Sequence, residues 1–387
     1  MDVFILDSLL RRETVLDRFE SMIWTERYSA WGDFQLVIHS TIESRSLLTS
    51  GTHLTIRDST RVMVVETVIN QDDSEGRHLL NVSGRSLEAI LEDRIAHWRL
   101  LNSSDPWDNT GTPYTVANWI FTSVCVDGRL KAADKIPFYK TGSIYPPDTI
   151  SKTDVPITHN SAFKTVYESI KEICEAAGLG FRLVRNGDKS ELRFDIYSGI
   201  DRTSTQATSP TVIFSPDHEN LTNVSELNSS EKYKNVAYVF APNGYRTVFA
   251  VGAGDSTAGF ERRILMVKAD DITLPAGTPL QDALLQRGMD ELAKNRTVSA
   301  IDGELPQTSK YKYGLGLDYN LGDLVEVRTD DGVTNRMRIS EQIFVSDAEG
   351  DRSYPTLARD LFITPGSWYA WDSGQAWDDA VGTWDEV

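Results

Sequence analysis

The side chains of this chain that could carry out chemistry are few and scattered. Its six histidines, His39, His53, His78, His97, His159 and His218, stand singly, with no second His or Cys three to five residues away. Many transition-metal sites take a pair of ligands from one short turn or helix face, and no histidine here offers that spacing. The two cysteines, Cys125 and Cys174, lie 49 residues apart and form no CxxC, which points to free, reduced thiols. No GxSxG, HExxH or GxxxxGK[ST] pattern occurs, and with them go the usual signatures of serine hydrolases, zinc proteases and P-loop NTPases.

Weaker motifs read as structure. Gly252-Ala253-Gly254-Asp255-Ser256 has the composition of a phosphate-binding turn, yet no amphipathic helix follows to offer its N-terminus, so a hairpin tip is expected. The acid pairs Asp72-Asp73, Asp270-Asp271, Asp330-Asp331 and Asp378-Asp379 do not fit the Asp-x-Asp-x-Asp-Gly calcium loop and suit turns. Arg11-Arg12 and Arg262-Arg263 are isolated, without a basic stripe interleaved with aromatics, so specific nucleic-acid readout is not expected. The chain therefore does not read as an enzyme, and no catalytic residue, metal or cofactor is expected. Two chemical alternatives stay open. One is a cell-wall hydrolase with an acid pair or a His/Cys cluster in a cleft of residues 100–210. The other is a carbohydrate-binding module using Trp107, Trp119 or the C-terminal tryptophans as stacking platforms.

The elements that would position such residues are mostly strands. Phe34, Leu36 and Ile38 alternate after Gly32-Asp33, as in a half-buried antiparallel sheet. Gly51 is followed by Leu54, Ile56 and Arg57, then a turn and Val62, Val64, Glu66 and Val68. Gly322, with Asp323 beside it, is followed at the same offsets by Val325, Val327 and Arg328, then Met337, Ile339, Glu341 and Ile343. Two hairpins of one design suggest a duplicated β-module with Glu66 and Glu341 in matching places; coincidental alternation in a β-rich chain is the competing reading.

Between them, Leu87, Ile90, Leu91 and Ile95 predict a short helix, and residues 100–158, rich in Pro and Gly, predict a long loop with one short helix near Val116, Trp119 and Ile120. Phe163, Val166, Tyr167, Ile170, Ile173, Cys174 and Ala177 form a helical stripe stopped by Gly178, and the hairpin Phe181–Leu183 to Leu192–Ile196 offers the sheet it needs. Further strands are expected at 211–214, 236–240 and 263–267, and a second helix from Thr278-Pro279, with Gln281 completing a capping box, to about Asn295.

At 387 residues with a formal charge of −18, the surface repels phosphate backbones, so DNA fits as passing cargo better than as a gripped ligand. Met1-Asp2-Val3 opens without a basic or apolar leader, and Val236 to Ala241 is among the longest apolar runs, so neither a signal peptide nor a membrane span is expected. Trp368, Trp371, Trp377 and Trp384 crowd an acidic C-terminal tail too short for a core of its own. They are candidate docking residues for a neighbour, or they pack back on their own domain.

The ordered set Phe4-Ile5-Leu6-Asp7, Trp24 to Tyr28, Trp31-Gly32-Asp33-Phe34-Gln35-Leu36-Val37-Ile38, Val82-Ser83-Gly84-Arg85-Ser86-Leu87 with Arg94 after it, Tyr197-Ser198-Gly199-Ile200-Asp201-Arg202-Thr203 leading to Val212-Ile213-Phe214-Ser215, Tyr233-Lys234-Asn235-Val236-Ala237 and Leu321-Gly322-Asp323-Leu324-Val325 resembles the minor tail proteins of siphophages, the tail-tip hub family. The resemblance implies an α+β, mainly β fold with two related small β-barrel modules, similar to the baseplate hub of contractile phages. On it, residues 1–100 are a first barrel, completed by strands from about 205–270. Residues 101–204 are an inserted α+β domain, 271–365 a helix and second barrel, and 366–387 the Trp-rich tail. It further implies a homotrimeric, pseudo-sixfold virion ring between the tail tube or distal tail protein and the fibre or receptor-binding proteins, gating the tape-measure protein and DNA. A peptidoglycan-cleaving extension and membrane insertion are not expected.

Overall fold

The computed structural model describes residues 1–72, 74, 76–96, 108–129, 131–140, 157–161, 163–186, 190–270, 280–295, 297–304, 311–314, 317–328 and 334–359. The N-terminal part runs β1 (Val3–Leu6), β2 (Arg12–Leu16), β3 (Ser21–Arg27), β4 (Asp33–His39), α1 (Ile42–Leu47), β5 (His53–Ile56), β6 (Met63–Asp72) and β7 (His78–Ser86). Period-2 alternation sends Phe34, Leu36 and Ile38 of β4 into a core with Trp24, Leu54, Met63 and Val82. Leu87–Asp93 is a 3-10 helix, tighter than the helix expected there, and Ile95 falls outside it, 48% exposed.

The inserted part contains β8 (Asp108–Gly111), α2 (Pro113–Phe121), β9 (Ile157–Asn160), α3 (Val166–Ala177), β10 (Gly180–Arg185) and β11 (Leu192–Tyr197). Thr112 caps α2 with Pro113 in its first turn, and Thr165 and Glu168 form a capping box on α3, which Gly178 ends in the left-handed region. Phe163 lies before that cap, 90% exposed with φ 55°, so the apolar stripe starts at Val166 rather than at Phe163. The stripe packs on the β10–β11 hairpin, and Phe121 of α2 stacks on Phe194 with ring centroids 3.9 Å apart.

The remaining elements are β12 (Ile213–Phe214), β13 (Thr222–Ser229), β14 (Val236–Ala241), β15 (Gly244–Phe249), β16 (Ile264–Lys268), α4 (Leu280–Lys294), β17 (Val298–Glu304), β18 (Leu324–Arg328), β19 (Thr334–Asp347) and β20 (Gly350–Arg359). The expected cap of α4 at Thr278 lies outside the described residues. Strands β14, β15 and β16 form a small sheet of their own, in the order β15-β14-β16, with α4 across one face. Because β16 runs parallel to β14, residues 252–256 belong to a crossover and not to a hairpin tip.

Thirteen strands join one sheet, ordered β13-β17-β20-β19-β3-β4-β7-β6-β5-β1-β2, with β18 on β19 and β12 on β18. This corrects the expectation of two barrels: the fold is mainly β, and neither half closes on itself among the described residues. The reason is β19. At 14 residues it is long enough to pair with β18 along its first part and with β3, from Glu341↔Arg27 to Ser346↔Met22, along its second. The two halves thus share a ladder. Nor do strands from 205–270 complete the first half: β12 and β13 pair with β18 and β17, in the second.

Candidate functional site: the junction of the two half-sheets

Each half-sheet opens with the same backbone device. Gly51 has φ +89° and Gly322 φ +87°, a region that glycine enters without the clash a Cβ would bring. The Gly51 N–H donates to the Val65 carbonyl at 2.8 Å, and Val65 donates back to Thr52 at 2.8 Å. The Gly322 N–H donates to the Ile339 carbonyl at 2.8 Å, and Ile339 donates back to Asp323 at 3.0 Å. Leu54 then stands opposite Met63, and Val325 opposite Met337, all four buried. Both return strands bulge next, with Glu66 extra between Val65 and Thr67, and Ser340 extra between Ile339 and Glu341. Ser340 therefore occupies the place of Glu66, and Glu341 that of Thr67; the expected Glu66–Glu341 match is out by one residue. The offset lies ahead of the bulges, which coincide: Met63 and not Val62 is the counterpart of Met337.

Tyr28, just past β3, locks the halves to the inserted part. Its hydroxyl lies 2.9 Å from the Gly178 carbonyl and 3.1 Å from that of Tyr197, and accepts the Gly199 N–H at 3.3 Å. Its own N–H donates to the bulge carbonyl of Ser340 at 2.9 Å, and its carbonyl accepts from Phe181 at 3.1 Å. The ring fits only because Gly180 and Gly322 flank it; a Cβ on either would strike it. Burial pushes the phenol above its ordinary pKa, so it stays a neutral donor.

Asp323 is a structural residue. Its carboxylate accepts Arg202 Nε at 2.6 Å and the N–H groups of Ile200 at 2.8 Å and Asn320 at 3.0 Å. Burial pushes its carboxyl above the usual range, against the pull of those donors. Fully paired, such a buried ion pair fixes geometry, while removal of one partner leaves a charge stranded.

Of the two glutamates singled out by sequence, Glu66 lines an open groove of about 570 Å³ with Arg27, Trp31, Ser83, Gly84 and Tyr167 among others, and Glu341 is tied to it through Arg27. Arg27 holds Glu341 at 2.6 Å and also pairs with Asp33. Arg85 grips both oxygens of Glu66 at 3.0 Å and pairs with Glu92. Trp31 is the strut between them: its Nε1 donates to Glu92 at 2.9 Å, and the Arg85 and Arg27 guanidinium carbons lie 5.1 and 5.9 Å from its ring centroid. Each of these carboxylates is engaged by an arginine, an arrangement that fastens strands β3, β6, β7 and β19 to one another.

Elsewhere the candidate chemistry is quiet. Cys125 and Cys174 are free and buried, and burial pushes the Cys125 thiol up to about 12, far from the thiolate a nucleophile needs. His159 is buried, which with Lys164 nearby pushes its pKa down to about 3. Among the described residues, no group of three or more His, Cys, Asp or Glu could hold a metal ion, and no helix is long and apolar enough to cross a membrane. Trp119 is half-buried against the core of the inserted part. Trp107 and the tail tryptophans Trp368, Trp371, Trp377 and Trp384 lie outside the described residues. Sequence reading quoted Arg27, Arg85 and Tyr28 only inside longer motifs and gave them no role: Arg27 and Tyr28 meet Glu341 and Gly178, which are remote in the chain, and Arg85 meets Glu66 through the β6–β7 pairing. The strand expected at 236–240 is present as β14, Val236–Ala241.

This fold is shared with phage tail proteins of known structure. The structure aligns with the tail protein from Neisseria meningitidis MC58 at a TM-score of 0.54 and 15% identity, covering 94% of this chain and 97% of that one. It aligns with the 43 kDa tail protein of prophage MuSo2 from Shewanella oneidensis at a TM-score of 0.53 and 14% identity, covering 93% and 98%. No curated protein sequence matches the chain. The family model of the siphovirus ReqiPepy6 Gp37-like proteins matches residues 2–357, and the chain belongs to that family. It is a structural protein of a phage tail.

Proposed function

We propose that this tail protein is the hub of the tail tip. Three copies form a ring, and each contributes two related β-modules, so that six similar surfaces meet the sixfold tube or distal tail protein above. Fibre or receptor-binding proteins attach below, and the ring gates the channel for the tape-measure protein and DNA. The observation that carries this reading is the pair of matched half-sheet openings, Gly51/Val65 and Gly322/Ile339, with the same bonds and the same bulge. Independent strands reproduce one such feature by chance; the coincidence of glycine φ, reciprocal bonds, buried cross-strand pair and bulge favours duplication. Edge-to-edge joining through β3 and β19 holds the two modules side by side, as neighbours in a ring must be. Three chains carry −54, three times −18, and acidic walls let DNA pass without adhering.

Antibody labelling of intact phage tests the position. Label at the distal end of the tail supports the hub; label spread along the tube, or none, overturns it. Light scattering of the purified protein adds the stoichiometry: a ring has about 130 kDa, three times 43.3 kDa.

A further inference from the structure

Among the described residues, the small sheet of β14, β15 and β16 has one covered face and one bare face. Ala237, Val239, Val248 and Val267 pack with Leu284 and Leu292 of α4. Alternation turns the intervening residues the other way. Phe240 and Tyr245 sit opposite each other with ring centroids 6.1 Å apart, and Tyr238 faces Met266 across the next ladder. Phe240 is 43% exposed, Tyr245 62%, Ile264 47% and Met266 71%. Such contiguous exposed apolar surface marks a contact site.

Charge and chain path name the occupant. Residues 230–268 hold six Lys or Arg against three Asp or Glu, inside a chain of net −18; residues 360–387 hold six Asp or Glu, no Lys or Arg, and four Trp. Lys268 stands opposite Phe240, and Arg262 donates to the Tyr238 hydroxyl at 2.9 Å. A second copy would bring the same basic rim against itself, whereas the C-terminal segment brings the opposite charge and the apolar rings. The path is short. Strands β13 and β20 both pair antiparallel with β17, so they run the same way, and Ala358 lies opposite Ala300 while Asn228 lies opposite Ser299. Two strand spacings put the end of β20 about 10 Å from the end of β13, whose continuation leads straight into β14. The seven residues 360–366 can span up to about 23 Å when extended.

We propose that residues 366–387 fold back on their own chain and lay their tryptophans over the bare face of Tyr238, Phe240, Tyr245, Ile264 and Met266, with their acids toward Lys268 and Arg262. The test uses the full-length chain with Met266→Cys, a position where a thiol is open to alkylation while Cys125 and Cys174 stay buried. Alkylation of position 266 by a maleimide is expected to run about ten-fold faster when Trp368, Trp371, Trp377 and Trp384 are all replaced by Ala, the ratio expected when the face is covered about nine-tenths of the time. Lys268→Glu should speed it in the same direction. A photo-crosslinking residue at position 266 should join to peptides of 366–387 within one chain. Equal alkylation rates with and without the tail tryptophans, or cross-links that only join two chains, would overturn the proposal.

Discussion

Replacing Gly322 with alanine should destabilise the protein well beyond the same change at Gly51, and the excess should belong to Tyr28. Both glycines hold φ near +88°, with +89° and +87° respectively, and an L-residue in that region costs about 1–2 kcal/mol. At Gly51 the added Cβ meets nothing within 4 Å, so that is the whole effect. At Gly322 it would lie 2.8 Å from Cδ2 of Tyr28 and nearer still to Cε2 and Cζ. The ring has nowhere to retreat, because Gly180 presses on it too and its hydroxyl is anchored at Gly178, Tyr197 and Gly199. Overpacking of this kind adds about 1–3 kcal/mol, for a total of about 2–5 kcal/mol against about 1–2 kcal/mol at Gly51. Urea unfolding of the two variants, each also made in a Tyr28→Ala background, reads the difference as a coupling free energy. Equal losses at the two glycines, or an excess at Gly322 that survives removal of the ring, would refute the argument.

Other substitutions separate the remaining contacts. Tyr28→Phe keeps the ring but strands buried backbone groups of Gly178 and Gly199, and should cost about 1–3 kcal/mol in the same unfolding assay; a neutral result would mean the hydroxyl bonds contribute nothing. Arg202→Met leaves the Asp323 carboxylate buried without its cation, so a loss of about 3–5 kcal/mol is expected at pH 7, read as a shift in the unfolding midpoint. The neutral ring of His159 makes its full contribution above pH 6.5, and that contribution is lost as pH falls toward 3, because the unfolded chain takes a proton that the folded one refuses. The slope is about 1.4 kcal/mol per pH unit in that window; His159→Gln should flatten it, and an unchanged slope would assign it to other groups.

Local rules account for much of what the sequence made legible. The capping box Thr165/Glu168 and the Gly178 stop bound α3, and alternation placed Phe34, Leu36 and Ile38 inward, because each depends on residues within a few positions of one another. Phe163 fits the helical period equally well, but the cap at Thr165 comes after it, and the cap decides. The choice between two closed barrels and one shared sheet was not legible, since it turns on which edge of a 14-residue strand meets β3, more than 300 residues away, as Glu341↔Arg27 shows. The site divides in the same way. Gly51 and Gly322 could be picked out because left-handed turns demand glycine, whereas the shift between Glu66 and Glu341 comes from the register after the turn, where Met63 and not Val62 answers Met337, and Tyr28 looks like any aromatic until Gly180 and Gly322 are seen on either side of it.

The hub itself is tested most directly by an electron-microscopic reconstruction of the intact tail tip, refined without imposed symmetry. The account predicts three copies of this chain in one ring, with the half-sheet opened by Gly51 alternating with the half-sheet opened by Gly322 around it, giving six similar contacts to the tube. A tip with one or six copies, or a ring in which only one of the two half-sheets faces the tube, would contradict it.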